Sequence, residues 1–213
     1  MQVGRFLGEL AARFDDFPGS ELPRDVRFAE ILDAVPGLAR PNNLALLNAA
    51  ASCLDAGECY VEVGTYHGTS LIAAMLENDA EFVAIDNWSL GDGSREQFER
   101  NLARFGFAGR AEIIEGDAFE TLRSGRLAGR KVGVYYYDNG HEYEQQLDGM
   151  RLIEPHLVSP ALVIVDDTDW DRVEHAVEDY LAQQPRATQL LRLDGKERGA
   201  PQWWEGMRVL RWD

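Results

Sequence analysis

Residues 59–70 read CYVEVGTYHGTS, and the interpretation of the whole chain starts from this stretch. Its apolar beginning predicts a buried strand, while Gly64 and Gly68 predict a tight turn that opens a helix at Thr69. Free backbone amides at the start of a helix suit a carboxylate or a phosphate. The spacing is G-x-x-x-G, which differs from the G-x-G-x-x-G of nicotinamide-binding turns. Taken alone, the turn is equally well explained as an ordinary strand-to-helix connection.

The same change from strand to helix recurs to the end of the chain. The predicted strands cover residues 59–65, 81–87, 110–117, 132–139, 161–167, 188–193 and 207–212, and the predicted helices cover 69–78, 94–105, a short stretch after Ala118, 143–157 and 171–183. Uninterrupted apolar runs such as 162–165 are typical of strands that helices cover on both faces. The last two strands are joined by a polar segment with Gly195, Gly199 and Pro201, which predicts an antiparallel pair. The predicted fold class is α/β, with a seven-stranded, mainly parallel sheet.

Helical spacing of apolar residues also appears before the first strand. It covers positions 3–14, and a second helical stretch follows Pro41. We therefore expect one domain over residues 1–213, with an N-terminal helical extension at 1–45 and the α/β core at 46–213. The apolar face of the first helix must dock on something, and a homodimer contact is one expectation.

Charge and cysteine content exclude several classes of partner. The chain has 21 Lys and Arg against 37 Asp and Glu, a net charge of −16, so nucleic acid and anionic membranes are poor partners. The two cysteines, Cys53 and Cys59, are too few for a disulfide framework or a structural zinc site. The first 17 residues contain no continuous apolar run of secretory or membrane-spanning length. A soluble, cytoplasmic protein that acts on a small molecule is expected.

Acidic residues follow the predicted strands at the edge where a parallel sheet binds its ligands. Asp86 ends the second strand, about 20 residues after the glycine turn, where a carboxylate binds ribose hydroxyls. Asp117 ends the third strand, where it is placed either to accept from an adenine amino group or to cap the next helix. Together with Glu62 and Gly64, these strand ends predict a nucleoside-type ligand.

The motifs resemble those of class I S-adenosylmethionine-dependent methyltransferases, and in particular the metal-dependent small-molecule O-methyltransferases of the macrolide-sugar type. The matching patterns are E-x-G-x-x-x-G-x-S at 62–70, I-D-x-W at 85–88, E-G-D-A at 115–118, D-x-x-H-x-Y at 138–143 and D-D at 166–167. The resemblance implies a Rossmann-like sheet and S-adenosylmethionine as cofactor. The residues then expected at the cofactor are Glu62, Gly64, Tyr66, His67, Gly68, Ser70, Asp86, Asn87, Trp88, Gly116, Asp117, Ala118 and Asp138.

A second polar group follows the fourth and fifth predicted strands. Asp138 ends the fourth strand, and Asp166 and Asp167 end the fifth, about 5 Å away if the two strands are neighbours. Three converging carboxylates without cysteine predict a site for Mg²⁺ or another hard divalent cation. Successive strand residues point to opposite faces, so both aspartates of the pair can ligate only if the chain has left the strand there. The alternative is that Asp167 only caps the helix that begins near Asp171.

His141 is the predicted catalytic base, with Asp138 as its partner in catalysis. It stands three residues after Asp138, where related catechol methyltransferases carry a lysine base, and a neutral imidazole can remove the proton of a hydroxyl. A surface histidine at a helix start is the alternative. The predicted reaction is methyl transfer to a hydroxyl of a sugar, natural product or phenol.

Two other functions fit the same residues. A metal-dependent hydrolase or phosphatase could use the three aspartates with a metal-bound water, and a non-catalytic nucleoside-binding protein could use the same fold. The identity of the acceptor is left open. Trp203 and Trp204 either line an acceptor pocket or pack in the core.

Overall fold

The computed structural model describes residues 1–195 and 202–213. In chain order the elements are α1 (Val3–Arg13), α2 (Arg27–Ala34), α3 (Pro41–Ser52), β1 (Cys59–Val63), α4 (Thr69–Met75), β2 (Glu81–Asp86), α5 (Arg95–Arg104), β3 (Ala111–Glu115), α6 (Ala118–Arg123), β4 (Val132–Tyr137), α7 (Tyr143–Ile153), a 3₁₀ turn (Glu154–His156), β5 (Leu157–Asp166), α8 (Asp171–Gln183), β6 (Ala187–Leu193) and β7 (Met207–Trp212). Gly199 and Pro201, which the sequence placed in the connection between the last strands, lie outside the described residues.

The strands form one seven-stranded sheet in the order β3-β2-β1-β4-β5-β7-β6. Strands β1 to β5 pair in parallel, whereas β7 pairs antiparallel with both β5 and β6. The predicted fold class, Rossmann-like α/β with an antiparallel last pair, is therefore confirmed. The chain moves outward from β1 to β3 and then returns to place β4 on the other side of β1. In open parallel sheets, ligands bind at the carboxyl ends of the strands beside such a reversal.

Helices cover both faces of the sheet, as the uninterrupted apolar strands require. In β4, Val134 and Tyr136 face the side packed by α1 to α5, while Tyr135 and Tyr137 face the side packed by α6 to α8. All four side chains are buried. The tyrosine-rich strand is therefore part of the core on both faces of the sheet.

The apolar side of α1 is buried within the chain itself. Phe6, Leu10 and Phe14 are at most 1% exposed, and α1 packs against α3 and β5. The face that the sequence offered for a homodimer contact is thus already covered, so it gives no support to a dimer. The sequence also did not predict α2, whose residues Phe28 and Ile31 pack into the same cluster.

Trp203 closes this cluster, and it is a core residue, not a lining residue of an open pocket. Its ring is 2% exposed and lies 5.8 Å from the rings of both Phe14 and Phe17. The indole N–H donates to the carbonyl of Pro18 at 3.1 Å. Trp204 is only half-buried and lies under the guanidinium of Arg40, 5.4 Å from its ring centroid.

The largest difference from the predicted boundaries lies between α7 and β5. The predicted helix 143–157 ends at Ile153, because Pro155 cannot continue a helix and lies in the 3₁₀ turn. Strand β5 then begins at Leu157 and runs through Pro160, earlier than the predicted start at 161. Strand β7 pairs with β5 only from Ala161 onwards, so Pro160 lies where its missing N–H breaks no bond to that strand.

Among the helices in residues 1–195 and 202–213, none combines the length and the apolar character needed to cross a membrane.

Trp203→Ala tests whether the N-terminal helices depend on this ring. Loss of a buried indole leaves a cavity, so we expect the free energy of unfolding to fall by about 3–5 kcal/mol. Urea denaturation followed by circular dichroism measures the change. Trp170→Ala is the matched control, because that ring is 44% exposed and its loss should cost about 1 kcal/mol or less. Equal losses in the two variants would contradict the packing role of Trp203.

Candidate active site

The glycine turn after β1 lies against the end of β4, where the strand order reverses. Gly64 has a φ of 86°, its N–H donates to the carbonyl of Ile85, and the N–H of Asp138 donates to the carbonyl of Val63. A Cβ at Gly64 would lie 1.8 Å from the carbonyl oxygen of Asp138. The missing side chain at Gly64 therefore lets two strand ends approach each other, which places the backbone of Asp138 directly beside the turn.

Helix α5 packs against the second half of the turn. Gly68 has a φ of 90°, and a Cβ there would lie 2.9 Å from the ring of Phe98. Asn101 donates to the carbonyl of His67, whose ring Nδ1 lies 3.2 Å from the carbonyl oxygen of Pro36. The turn is thus held in one conformation by α5 and by the loop after α2.

Glu62 carries a buried carboxyl group at the base of the turn. It is 0% exposed and accepts hydrogen bonds from the hydroxyls of Tyr60, at 2.9 Å, and Ser70, at 2.6 Å. Burial raises the pKa of Glu62 to about 8, and the nearby carboxylates of Asp138 and Asp86 act in the same direction. A buried acid with a strongly perturbed pKa is typical of a functional site, and a cationic ligand group would stabilise its ionised form.

Asp86 ties the turn after β1 to the loop after β2. Its carboxylate accepts from the backbone N–H of Tyr66 at 2.7 Å and from that of Trp88 at 2.6 Å. Both donors have left-handed backbones, with φ values of 46° and 48°, and such strain in bulky residues clusters at functional sites. The Tyr66 ring stacks on His67, and its hydroxyl donates to Asp92. Each Asp86 oxygen keeps a lone pair for a further donor, such as a ribose hydroxyl.

The remaining residues predicted at the cofactor lie after β2 and β3. Asp117 caps α6 by accepting from the N–H of Glu120 at 2.9 Å, so the capping alternative describes what this carboxylate does in the structure. Gly116 precedes it with a φ of 158°, and Ala118 begins the helix. Asn87 is exposed and accepts a backbone hydrogen bond from two residues further along. A contact of these residues with adenine stays a prediction.

Asp138, His141 and Asp167 come together beside the turn. One ligand atom from each lies within 4.8 Å of the other two. Asp167 has a φ of 56°, so the chain has left β5 at this residue, which meets the condition set by the sequence. Two carboxylates and an imidazole suit a divalent cation, because carboxylates are ligands of Mg²⁺ and Mn²⁺ and imidazole is a ligand of transition metals. The donor set therefore fits a divalent cation, although it is not the set of three aspartates from which the sequence predicted Mg²⁺.

Asp166 lies next to this cluster but makes other contacts. One of its carboxylate oxygens accepts from the hydroxyl of Tyr136, and the other accepts from the N–H of Asp167 at 3.0 Å. Burial and the neighbouring Asp138 carboxylate raise its pKa well above the ordinary value. The three ligand atoms that the structure brings together thus include His141 and do not include Asp166.

His141 is paired with the carboxylate that the sequence assigned to the metal. Its Nε2 lies 2.6 Å from Oδ2 of Asp167, and this contact raises the pKa of the imidazole. Burial, followed by the charge of Asp167, raises the pKa of Asp138 to about 7. The His141 ring also packs against Trp170, with 4.8 Å between ring centroids. This arrangement can hold a cation, and it can accept a proton and stabilise the resulting imidazolium.

Three residues at the site were missed by sequence reasoning or given another role. Tyr60 and Tyr136 stand two residues before Glu62 and Asp138, and the period of two along a strand predicts that each tyrosine shares a face with its carboxylate. Trp170 follows Asp167 by three residues, so its closeness in sequence to the acidic pair was the signal that could have placed it at the site. Its exposure of 44% is known only from the structure. The pairing of His141 with Asp167 has no local signal, because it joins two separate loops.

The family model described as "Methyltransferase domain" matches residues 61–168, which is half of the chain. The matched segment begins in β1 and ends just after the Asp166-Asp167 pair. No curated protein matches the sequence.

Solved structures share the architecture over nearly the whole chain. TomG, an O-methyltransferase of Streptomyces achromogenes in complex with SAM, is 20% identical with a TM-score of 0.65 over 99% of this chain and 97% of its own. An O-methyltransferase of Bacillus cereus in complex with SAH is 13% identical, with a TM-score of 0.65 over 100% of both chains. A putative caffeoyl-CoA O-methyltransferase of Staphylococcus aureus is 19% identical, with a TM-score of 0.64 over 88% and 90%. At these identities the likeness concerns the fold.

Gly64→Ala tests the contact between the two strand ends. The left-handed backbone alone costs a residue with a side chain about 1–2 kcal/mol, and at Gly64 the overlap with the Asp138 carbonyl adds to this cost. We expect a loss of more than about 3 kcal/mol of unfolding free energy, measured by urea denaturation. Gly57→Ala is the matched control, since Gly57 has a φ of 81° and nothing within 4 Å of its added Cβ. If both variants lose the same amount, the backbone conformation alone explains Gly64.

Proposed function

The chain belongs to the Methyltransferase domain family, and on that premise we propose that it is an S-adenosylmethionine-dependent O-methyltransferase for a hydroxyl group of a small molecule, assisted by a divalent cation. The observation that carries the proposal is the Gly64–Asp138 contact, which puts the carboxyl groups of Glu62 and Asp86 beside the Asp138–His141–Asp167 cluster, and we take the space between them as the cofactor crevice. Neighbours of the same fold that hold SAM or SAH support the choice of cofactor.

In this proposal, each part of the crevice binds one part of the cofactor. The buried carboxyl of Glu62 binds the amino group of the methionine portion, because a positively charged ammonium group stabilises the ionised form that burial disfavours. Asp86, already fixed by two backbone N–H groups, accepts from the ribose hydroxyls. The residues around Asp117 then lie on the adenine side of the crevice.

The acceptor hydroxyl is placed and deprotonated by the second cluster. Asp138 and Asp167 would hold Mg²⁺ or a similar cation, which when bound lowers the pKa of a hydroxyl beside it, while His141 would stay uncoordinated as the base. His141 takes the hydroxyl proton, and the Asp167 carboxylate stabilises the imidazolium that forms. S-adenosylmethionine, when bound, would supply the methyl group: its carbon–sulfur bond would break as the acceptor oxygen takes the methyl carbon, and S-adenosylhomocysteine would leave.

We also propose a cytoplasmic location and a small, freely diffusing acceptor. The strongly acidic composition argues against nucleic acid as the acceptor, and Cys53 and Cys59 are buried free thiols, as is common in a reducing compartment.

Glu62→Gln tests the cofactor assignment. The amide oxygen can accept from one of the Tyr60 and Ser70 hydroxyls and the amide N–H can donate to the other, but the amide offers no charge to the cofactor ammonium, so we expect affinity for S-adenosylhomocysteine to fall about 10- to 100-fold. At pH 7 the wild-type acid, with a pKa of about 8, should release a proton on binding, and the variant should not. Calorimetric titration in two buffers of different ionisation enthalpy measures both effects.

The control for this titration is Glu115→Gln, which removes an exposed carboxylate at the end of β3, on the same edge of the sheet. We expect affinity and proton release to stay as in the wild type. No binding of S-adenosylhomocysteine to the wild-type protein would contradict the proposed function itself, whereas equal binding by both glutamine variants would contradict only the role of Glu62.

Asp167→Asn tests the metal assignment. Replacing a ligating carboxylate by an amide should weaken Mn²⁺ binding at least about tenfold, measured by electron paramagnetic resonance of free Mn²⁺ with S-adenosylhomocysteine present. Asp171→Asn, four residues further along at the exposed start of α8, controls for the loss of nearby charge and should bind Mn²⁺ as the wild type does. Unchanged Mn²⁺ binding by Asp167→Asn would remove this residue from the metal site.

A further inference from the structure

The hydroxyl of Tyr136 lies between the carboxyl groups at the ends of two neighbouring strands. It donates to Oδ2 of Asp166, and Oδ2 of Asp138 lies 3.4 Å from it. A phenol has one hydrogen to donate, so the shorter contact, to Asp166, is the stronger of the two. Tyr136 and Asp166 are each 2% exposed, so solvent cannot readily replace this hydrogen bond.

The pleat of the sheet explains why the tyrosine reaches this carboxyl group. Tyr136 is paired with Ile164 across β4 and β5, and Asp166 stands two residues after Ile164. Side chains two residues apart on a strand share a face, so Tyr136 and Asp166 lie on the same face of the sheet. Asp166 is the last residue of β5, and the hydroxyl of Tyr136 therefore holds the strand exactly where the loop begins.

The carboxyl group of Asp166 in turn holds the backbone of Asp167. Its Oδ1 accepts from the N–H of Asp167 at 3.0 Å. Asp167 has a φ of 56°, a left-handed conformation that is uncommon for a residue with a side chain and needs contacts to maintain it. The N–H of Trp170 donates to the carbonyl of Asp167 at 3.0 Å and supplies a second such contact. The first contact depends on the orientation of the Asp166 carboxyl group, which Tyr136 fixes.

This backbone conformation decides where the side chain of Asp167 lies. Its Oδ2 is 2.6 Å from Nε2 of His141, and one ligand atom each of Asp138, His141 and Asp167 lies within 4.8 Å of the other two. If β5 continued as an extended strand, residue 167 would point to the face opposite Asp166. A shift of this backbone therefore moves both a carboxylate proposed for the cation and the partner of the proposed base.

We propose that Tyr136 is a positioning residue of the cation site, which acts through Asp166 on the backbone of Asp167. The inference rests on the proposed function and deepens it, because it names the group that keeps the Asp167 carboxylate beside Asp138 and His141. Hydrogen-bond partners of metal ligands commonly set the orientation of those ligands and the affinity for the metal. Tyr136 stands in this relation to Asp138 directly and to Asp167 through one intervening carboxyl group.

Tyr136→Phe removes the hydroxyl and keeps the ring. Without this donor the Asp166 carboxyl group is free to turn, so hydrogen exchange of the Asp167 amide should become about tenfold faster or more, measured by ¹H–¹⁵N spectra without metal. Binding of Mn²⁺ with S-adenosylhomocysteine present should weaken about tenfold, measured by electron paramagnetic resonance of free Mn²⁺. In the wild type the Asp167 amide should exchange slowly, and rapid exchange there would overturn the proposal without any variant.

Tyr135→Phe is the matched control variant. Tyr135 is the preceding residue of β4, is also buried and faces the other side of the sheet, where its hydroxyl donates to the carbonyl of Gly149 at 3.1 Å. This variant also loses a buried hydrogen bond, but the exchange of the Asp167 amide and the affinity for Mn²⁺ should stay as in the wild type. Equal changes in the two variants would indicate a general loosening of the sheet and would overturn the proposal.

Asp166→Ala tests the route from Tyr136 to Asp167. It should speed exchange of the Asp167 amide as much as Tyr136→Phe does. The double variant should exchange no faster than Asp166→Ala alone, because residues that act through one chain of contacts have non-additive effects. If the two effects add, Tyr136 does not act through Asp166, and the proposal is wrong.

Two results distinguish this inference from the function on which it rests. Absence of Mn²⁺ binding by the wild type would contradict the cation assignment and overturn the inference with it. A wild type that binds Mn²⁺, together with unchanged amide exchange and unchanged Mn²⁺ affinity in Tyr136→Phe, would overturn the inference alone.

Discussion

The close approach of Gly64 to the carbonyl of Asp138 is the constraint on which the site depends. It occurs where β1 and β4 lie side by side and the chain changes direction across the sheet. A side chain at Gly64 would separate the two strand ends, and the carboxylates of Glu62 and Asp86 would no longer lie beside Asp138. One missing Cβ thus places the two halves of the proposed site side by side.

The second constraint is electrostatic. Glu62, Asp138 and Asp166 carry raised pKa values because burial and mutual repulsion disfavour their ionised forms. Hydrogen bonds from the hydroxyls of Tyr60, Ser70 and Tyr136 stabilise the carboxylates of Glu62 and Asp166 in part. The His141 imidazole, when protonated, places a positive charge beside Asp167. Such a site is completed by cations, and the proposed ligands bring two: an ammonium group at Glu62 and a divalent ion at Asp138 and Asp167.

Much of the fold could be predicted from local patterns in the sequence. The strands of the core, the two glycines and the antiparallel last pair follow from apolar runs, turn residues and connection lengths, since these act over a few residues. Helix α7 ends before its predicted end because Pro155 cannot continue a helix. Helix α2 was not predicted because its eight residues form too few turns for the helical spacing to be evident. The burial of α1 and Trp203 could not be predicted, because the partners that cover them are distant in sequence.

The sequence by itself determined which residue types stand at the carboxyl ends of the strands, since a strand, a glycine turn and a helix start are specified within about ten residues. Only the tertiary structure decided how those residues combine. It paired His141 with Asp167, turned Asp166 towards Tyr136, made Asp117 a helix cap and left Trp170 exposed beside His141. These choices depend on the strand order and on loops that meet across the sheet, and distances between such loops are set by packing, not by spacing along the chain.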